Sequence, residues 1–109
     1  MFNECEKPKH SPWGAIQDAK QEMPGVWKVY TASHGGYILS AERFAAMPAA
    51  CKINMYGGGK CFEEDCEWAL VAVAFPEEFF AVNPSAKQYV EATLTGCYQP
   101  AADYWKGKQ

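Results

Sequence analysis

"VWKVYTASHGGYILS", residues 26–40, decides the fold. β-branched and aromatic residues fill positions 26–31, with Val26, Lys28 and Tyr30 on one face and Trp27, Val29 and Thr31 on the other. "YILS" at 37–40 is a second short strand, and Gly35 and Gly36 read as the residues that supply positive φ in a hairpin loop of four or five residues. A hairpin, and a small antiparallel sheet built on it, is therefore predicted. The turn needs its glycines but not His34. An imidazole beside such a loop can titrate near neutral pH and meet a ligand, or it can bond the local backbone and do nothing more. Ser33 beside it is a weak nucleophile candidate, because sequence neighbours seldom share a catalytic hydrogen bond.

Working outward, Ser11-Pro12 has the form of a helix cap followed by proline at the first helical position. A helix is expected from there to Glu22, ended by Pro24-Gly25. Ser40 caps a short helix over Ala41–Met47 that Pro48 closes. Residues 48–62 carry little pattern, and "YGGGK" reads as a flexible tight loop. The strongest helix signal runs from Glu63 to Phe75, with Cys66, Ala69, Leu70 and Val73 as its apolar stripe and an all-apolar second half suited to the centre of the domain. A last helix is expected over Ser85–Leu94, before the aromatic tail "CYQPAADYW". The predicted class is α+β: a small antiparallel sheet with about three helices on it, a loose segment over residues 1–11, and one domain over 12–109.

Composition narrows the function classes. The chain has 109 residues and 49% hydrophobic content, enough for one core without a metal or disulfide. Its net charge is −3, and its single arginine, Arg43, stands against nine lysines. Readers of nucleic acid show basic stripes and several arginines, so direct nucleic-acid binding is set aside. Five cysteines is an odd count, and residues 1–12 lack the apolar stretch of a signal peptide, so free thiols in a reducing cytoplasm are expected. The longest apolar run, Trp68–Phe75, has eight residues, against about 20 for a membrane helix.

Chemistry-bearing residues are few. Glu63, Glu64, Asp65, Glu67, Glu77 and Glu78 fall in a stretch with no basic residue, from Lys60 to Lys87. On a helix, Glu63 and Glu67 would repel one another at a cost of about 0.2–0.5 kcal/mol. Such spacing suits a metal, an acid/base role or a basic partner, and equally a solvated face. The cysteines lack paired zinc-knuckle spacing, so no metal is expected. "GGGK" at 57–60 lacks the spacing and hydroxyl residue of a phosphate loop. Trp13, Trp27, Trp68, Trp105, Tyr104 and Phe79-Phe80 exceed what so small a core needs, and surplus aromatics beside acids suit an interface.

Taken together, "PWG" (12–14), "TASHGGYILS" (31–40), "ERFAAMPA" (42–49), "EEDCEWA" (63–69) and "FP" (75–76) resemble an uncharacterised domain family found mostly in bacteriophages, prophages and plasmids. The resemblance spans residues 12–105 and implies an origin rather than an activity. Members often carry an aromatic pair before the acidic run, where this chain has Cys61-Phe62 after an extended glycine loop. A family site would map to Ser33, His34, Gly35, Gly36, Glu63, Glu64 and Asp65. The favoured expectation is a small accessory protein of the bacterial cytoplasm that binds a host or phage protein with a basic surface. An inhibitor of a host defence system, of the anti-CRISPR kind, is the sharpest form of it. Its contacts would come from Ser33, Gly35, Gly36, Glu67, Trp68, Glu77 and Glu78. The alternatives are a homo-oligomeric phage protein and a small hydrolase-like enzyme. The latter would use His34 with Glu63, Glu64 or Asp65, with or without a metal. No cofactor is expected.

Overall fold

Asp18–Met23 (β1), Val26–Tyr30 (β2), Gly35–Leu39 (β3) and Cys61–Glu63 (β4) form one antiparallel sheet in sequential order in the computed structural model, which describes residues 1–109. Helices follow at Ala41–Ala46 (α1), Trp68–Ala74 (α2), Pro76–Val82 (α3), Val90–Leu94 (α4) and Gln99–Lys108 (α5), with 3-10 turns at Ala49–Cys51 and Pro84–Tyr89. The fold is α+β, as expected. The predicted hairpin is present, with Val26 opposite Leu39, Lys28 opposite Tyr37 and Tyr30 opposite Gly35.

Its loop is closed by Thr31, not by glycine. The Thr31 N–H and hydroxyl both donate to the His34 carbonyl, at 2.8 and 2.7 Å, and the His34 N–H donates to Thr31 Oγ1 at 3.1 Å. Gly35 and Gly36 are extended strand residues without positive φ, which corrects the reading of them as loop glycines. Close approach is what requires them. A Cβ on Gly36 would collide with the Phe62 carbonyl and come within 2.6 Å of the Trp13 ring, and one on Gly35 would lie 2.7 Å from the Val29 carbonyl.

The helix expected over residues 12–22 is absent. Ser11 accepts from Trp13 N–H and donates to the Gly14 carbonyl, closing a tight turn that Gly14 leaves at φ +115°. The following residues become β1 instead. Pro24-Gly25, read as a helix stop, is the two-residue turn of a second hairpin, in which Met23 faces Val26 and Gly25 holds φ +81°. Proline followed by a positive-φ glycine is a strong turn pair. No apolar stripe at helical spacing competes with the free edge of β2.

One sheet face, carrying Val26, Tyr37, Leu39 and Phe62, packs on the helices. α2 runs through the centre, with Ala69–Val73 fully buried. It is shorter than predicted because Glu63 ends β4 and residues 64–67 turn before the helix begins. Phe75 ends it as expected, and Pro76 then opens α3 at the position where a proline needs no N–H partner. The tail at 97–105 also folds: α5 buries Ala101, Ala102 and Trp105. The first residues, expected to be loose, are tied at several points. Asn3 N–H donates to Glu42, Cys5 N–H to Gln21, and the Trp27 indole to the Cys5 carbonyl.

Candidate functional site

Pairing of β3 with β4 brings the hairpin loop to the acidic segment. Gly36 lies opposite Glu63, and the Glu64 N–H donates to the Gly35 carbonyl at 3.0 Å. At this corner a cleft of about 450 Å3 is lined by Trp13, His34, Tyr56, Glu63, Asp65 and Cys66. Three of the four expected catalytic residues, His34, Glu63 and Asp65, thus share one cleft. Glu64 does not. The turn that follows β4 leaves it at a separate cleft of about 220 Å3, beside Lys28, Tyr37 and Trp68. No histidine nitrogen comes within 4.0 Å of a carboxylate, since Arg43–Glu78 is the sole ion pair.

The carboxylates of the acidic run divide into buried and free. Glu63 Oε2 accepts from the Asp65 N–H at 3.0 Å, and Oε1 accepts from the Cys66 N–H at 2.9 Å and from its thiol at 3.4 Å. Burial would raise the Glu63 pKa, but the N–H groups of Asp65, Cys66 and Glu67 and the thiol outweigh it and hold the carboxyl below its usual range. Glu67 is fully buried and has no cation beside it. Its oxygens accept from the N–H groups of Tyr56, Gly57 and Glu63 at 2.8, 2.8 and 3.1 Å, and from the Tyr98 hydroxyl at 2.6 Å. Glu67 therefore pins the glycine loop to α2 and cannot touch a partner, a correction to its expected place on a contact surface. Asp65 is exposed, and its carboxylate has no ion-pair partner.

Cys66 is held protonated. Burial, followed by the adjoining Glu63 carboxylate, pushes its thiol up to about 11, which disfavours a thiolate nucleophile at neutral pH. Burial and Glu67 push the Tyr98 hydroxyl far above its usual range. No three histidine, cysteine or carboxylate side chains are arranged to hold a metal ion.

The remaining expected contact residues scatter. Ser33 and Glu77 are exposed, while Gly35 and Gly36 lie buried in β3 beneath other groups. Trp68 is half-buried and stacks on Phe79 at 6.0 Å. Glu78 grips Arg43 through two 2.7 Å bonds, and the guanidinium holds its carboxyl below the usual range. The acidic face foreseen over 63–78 is thus reduced to Glu64, Asp65 and Glu77.

Tyr56 was not foreseen at the site, and Trp13 was noted as a surplus aromatic and in the "PWG" element, not as a site residue. Tyr56 is 67% exposed at the rim although its N–H is anchored on buried Glu67. Trp13 packs over Gly36, and its indole nitrogen is buried without an acceptor. "PWG" sits next to no strand signal, so its meeting with Gly36 could not be read from spacing.

A family model described as a domain of unknown function, DUF7007, matches residues 6–108. No curated protein matches the chain, and no solved structure does.

Proposed function

The chain belongs to the DUF7007 family, and we propose that it works by binding a protein partner with a basic surface, as an accessory protein of a phage or other mobile element. An inhibitor of a host defence system is the form this reading takes most naturally for so small a domain. The observation that carries the reading is the open cleft, which gathers exposed Tyr56, Asp65 and His34 and has no lysine or arginine in its lining. Aromatic and acidic groups gathered in one open cleft are what anchor residues of a basic partner seek. Much of the acidic run serves the interior, so the contact surface lies at this cleft rather than along a helix face.

The test is capture of the partner from a bacterial host lysate by the wild type and by Asp65→Lys. The variant is expected to lose capture, and added salt to weaken it. Capture that ignores both moves the contact elsewhere. Sedimentation of the purified chain separates this from self-association.

A second reading, a hydrolase-like enzyme, is favoured by one observation: His34, Glu63 and Asp65 line the same cleft. It requires a water or substrate to bridge the imidazole to Asp65, because Glu63 is occupied by its own turn. Turnover of ester or phosphoester probes that disappears in a folded His34→Ala variant would establish it.

A further inference from the structure

The cleft has one dominant charge sign and two aromatic walls. Glu63 is only 8% exposed, and its carboxylate is fixed by the N–H groups of Asp65 and Cys66, so the negative charge cannot swing away. Asp65 adds a second, exposed carboxylate that is unpaired within the fold. The Tyr56 ring stands at the rim, carried on a backbone that Glu67 clamps through the Tyr56 and Gly57 N–H groups. Trp13 lines the same cleft and lies on Gly36.

Resting on the binding reading above, we infer that the cleft is a receptor for one arginine side chain of the partner, with the guanidinium against the Trp13 and Tyr56 rings and paired to the carboxylate of Asp65. Arginine fits better than lysine on three counts: it is planar and stacks on rings, it is weakly hydrated, and it offers a carboxylate two parallel donors. A recess of about 450 Å3 exceeds one side chain, leaving room for the main chain that presents it. The fold uses the same chemistry internally. The Arg43 guanidinium lies 3.9 Å from the Phe2 ring centre and 4.6 Å from that of Phe75, and is held by both oxygens of Glu78.

The experiment uses the full chain and capped tripeptides with neutral ends: Gly-Arg-Gly, Gly-Lys-Gly and Gly-Gln-Gly. Binding is followed by the Trp13 indole and Tyr56 and Asp65 amide signals in 1H–15N NMR. The arginine peptide is expected to shift these signals saturably with a Kd on the order of 1 mM. The lysine peptide should bind several-fold more weakly and the glutamine peptide not at all. Asp65→Asn and Tyr56→Ala should each weaken the arginine peptide by about tenfold while the other signals keep their positions. The inference is overturned if the arginine peptide moves none of these signals, if glutamine does as well as arginine, or if Asp65→Asn leaves binding unchanged. Asp65-dependent capture of a partner without an arginine response sinks this inference and leaves the binding reading standing. An arginine response without any captured partner does the reverse.

Discussion

Glu67 holds more of the site together than any residue at its surface. It answers three backbone N–H groups and the Tyr98 hydroxyl, and position 57 admits only glycine because a Cβ there would strike the Cys61 carbonyl. Glu67→Ala orphans four donors at once, two of them (the Glu63 N–H and the Tyr98 hydroxyl) in buried hydrogen bonds, and is expected to cost about 3–5 kcal/mol, read as a lower urea midpoint. A loss under about 1 kcal/mol would mean that water replaces the carboxylate. Gly36→Ala forces its new methyl against the Phe62 carbonyl and the Trp13 ring. It should cost about 1–3 kcal/mol and change Trp13 fluorescence. At this scale the odd spacing of Glu63 and Glu67 was legible as something to be explained. Its reason was not, because the partners are mostly backbone N–H groups, with the distant Tyr98 hydroxyl, that only folding delivers.

Among the elements, Arg43 is the joint. It sits on α1, donates through Nε to the Pro24 carbonyl of the β1–β2 turn at 2.8 Å, and pairs with Glu78 of α3. Arg43 is fully buried while the Glu78 side chain is 45% exposed. Glu78→Gln leaves the buried cation half-answered and is expected to destabilise by about 2–3 kcal/mol, below the usual cost of a broken buried pair because solvent reaches the glutamate side. Thermal melts of the two proteins side by side decide it, and an unchanged Tm would show that the Pro24 carbonyl and the two rings suffice. The hairpin, the Ser40-capped α1 and the apolar centre of α2 were all legible, because each is written in contiguous residues. β1 was missed because its period is poor and its partner strand supplies the reason for it. The start of α2 was placed too early because Glu63, a good first-turn residue for a helix, is claimed by β4 and by its own turn.

For the whole molecule, acid is the informative variable. Glu63 and Glu78 both titrate below the ordinary value of 4.5, the first through backbone N–H groups acting against burial and the second through Arg43. A carboxylate with a lowered folded pKa stabilises fully above its unfolded pKa and loses that contribution as pH falls through the folded one. Stability should therefore hold from about pH 7 to about pH 5 and fall below about pH 4.5. Urea midpoints across that range test this. Glu63→Gln with Glu78→Gln should lower the plateau and flatten the acid limb, and an equally steep limb would assign the loss to other carboxylates. Across the whole chain no helix is long and apolar enough to cross a membrane, and the acidic balance sits largely outside the core, with Glu63 and Glu67 as its buried exceptions.

An α+β domain with a hairpin at residues 26–40, a buried apolar helix after it, and a histidine that the hairpin does not need could all be read from the order of residues. Those features depend on local pattern: alternation, helical period and punctuation by proline, glycine and serine. The tertiary structure alone decided which carboxylates are structural and which face solvent, and that Trp13, His34, Tyr56 and Asp65 meet. The physical reason is pairing at a distance. β3 recruits β4 across more than twenty intervening residues, the turn after β4 then parts Glu63 from Glu64, and backbone N–H groups, with the Cys66 thiol and the Tyr98 hydroxyl, absorb Glu63 and Glu67.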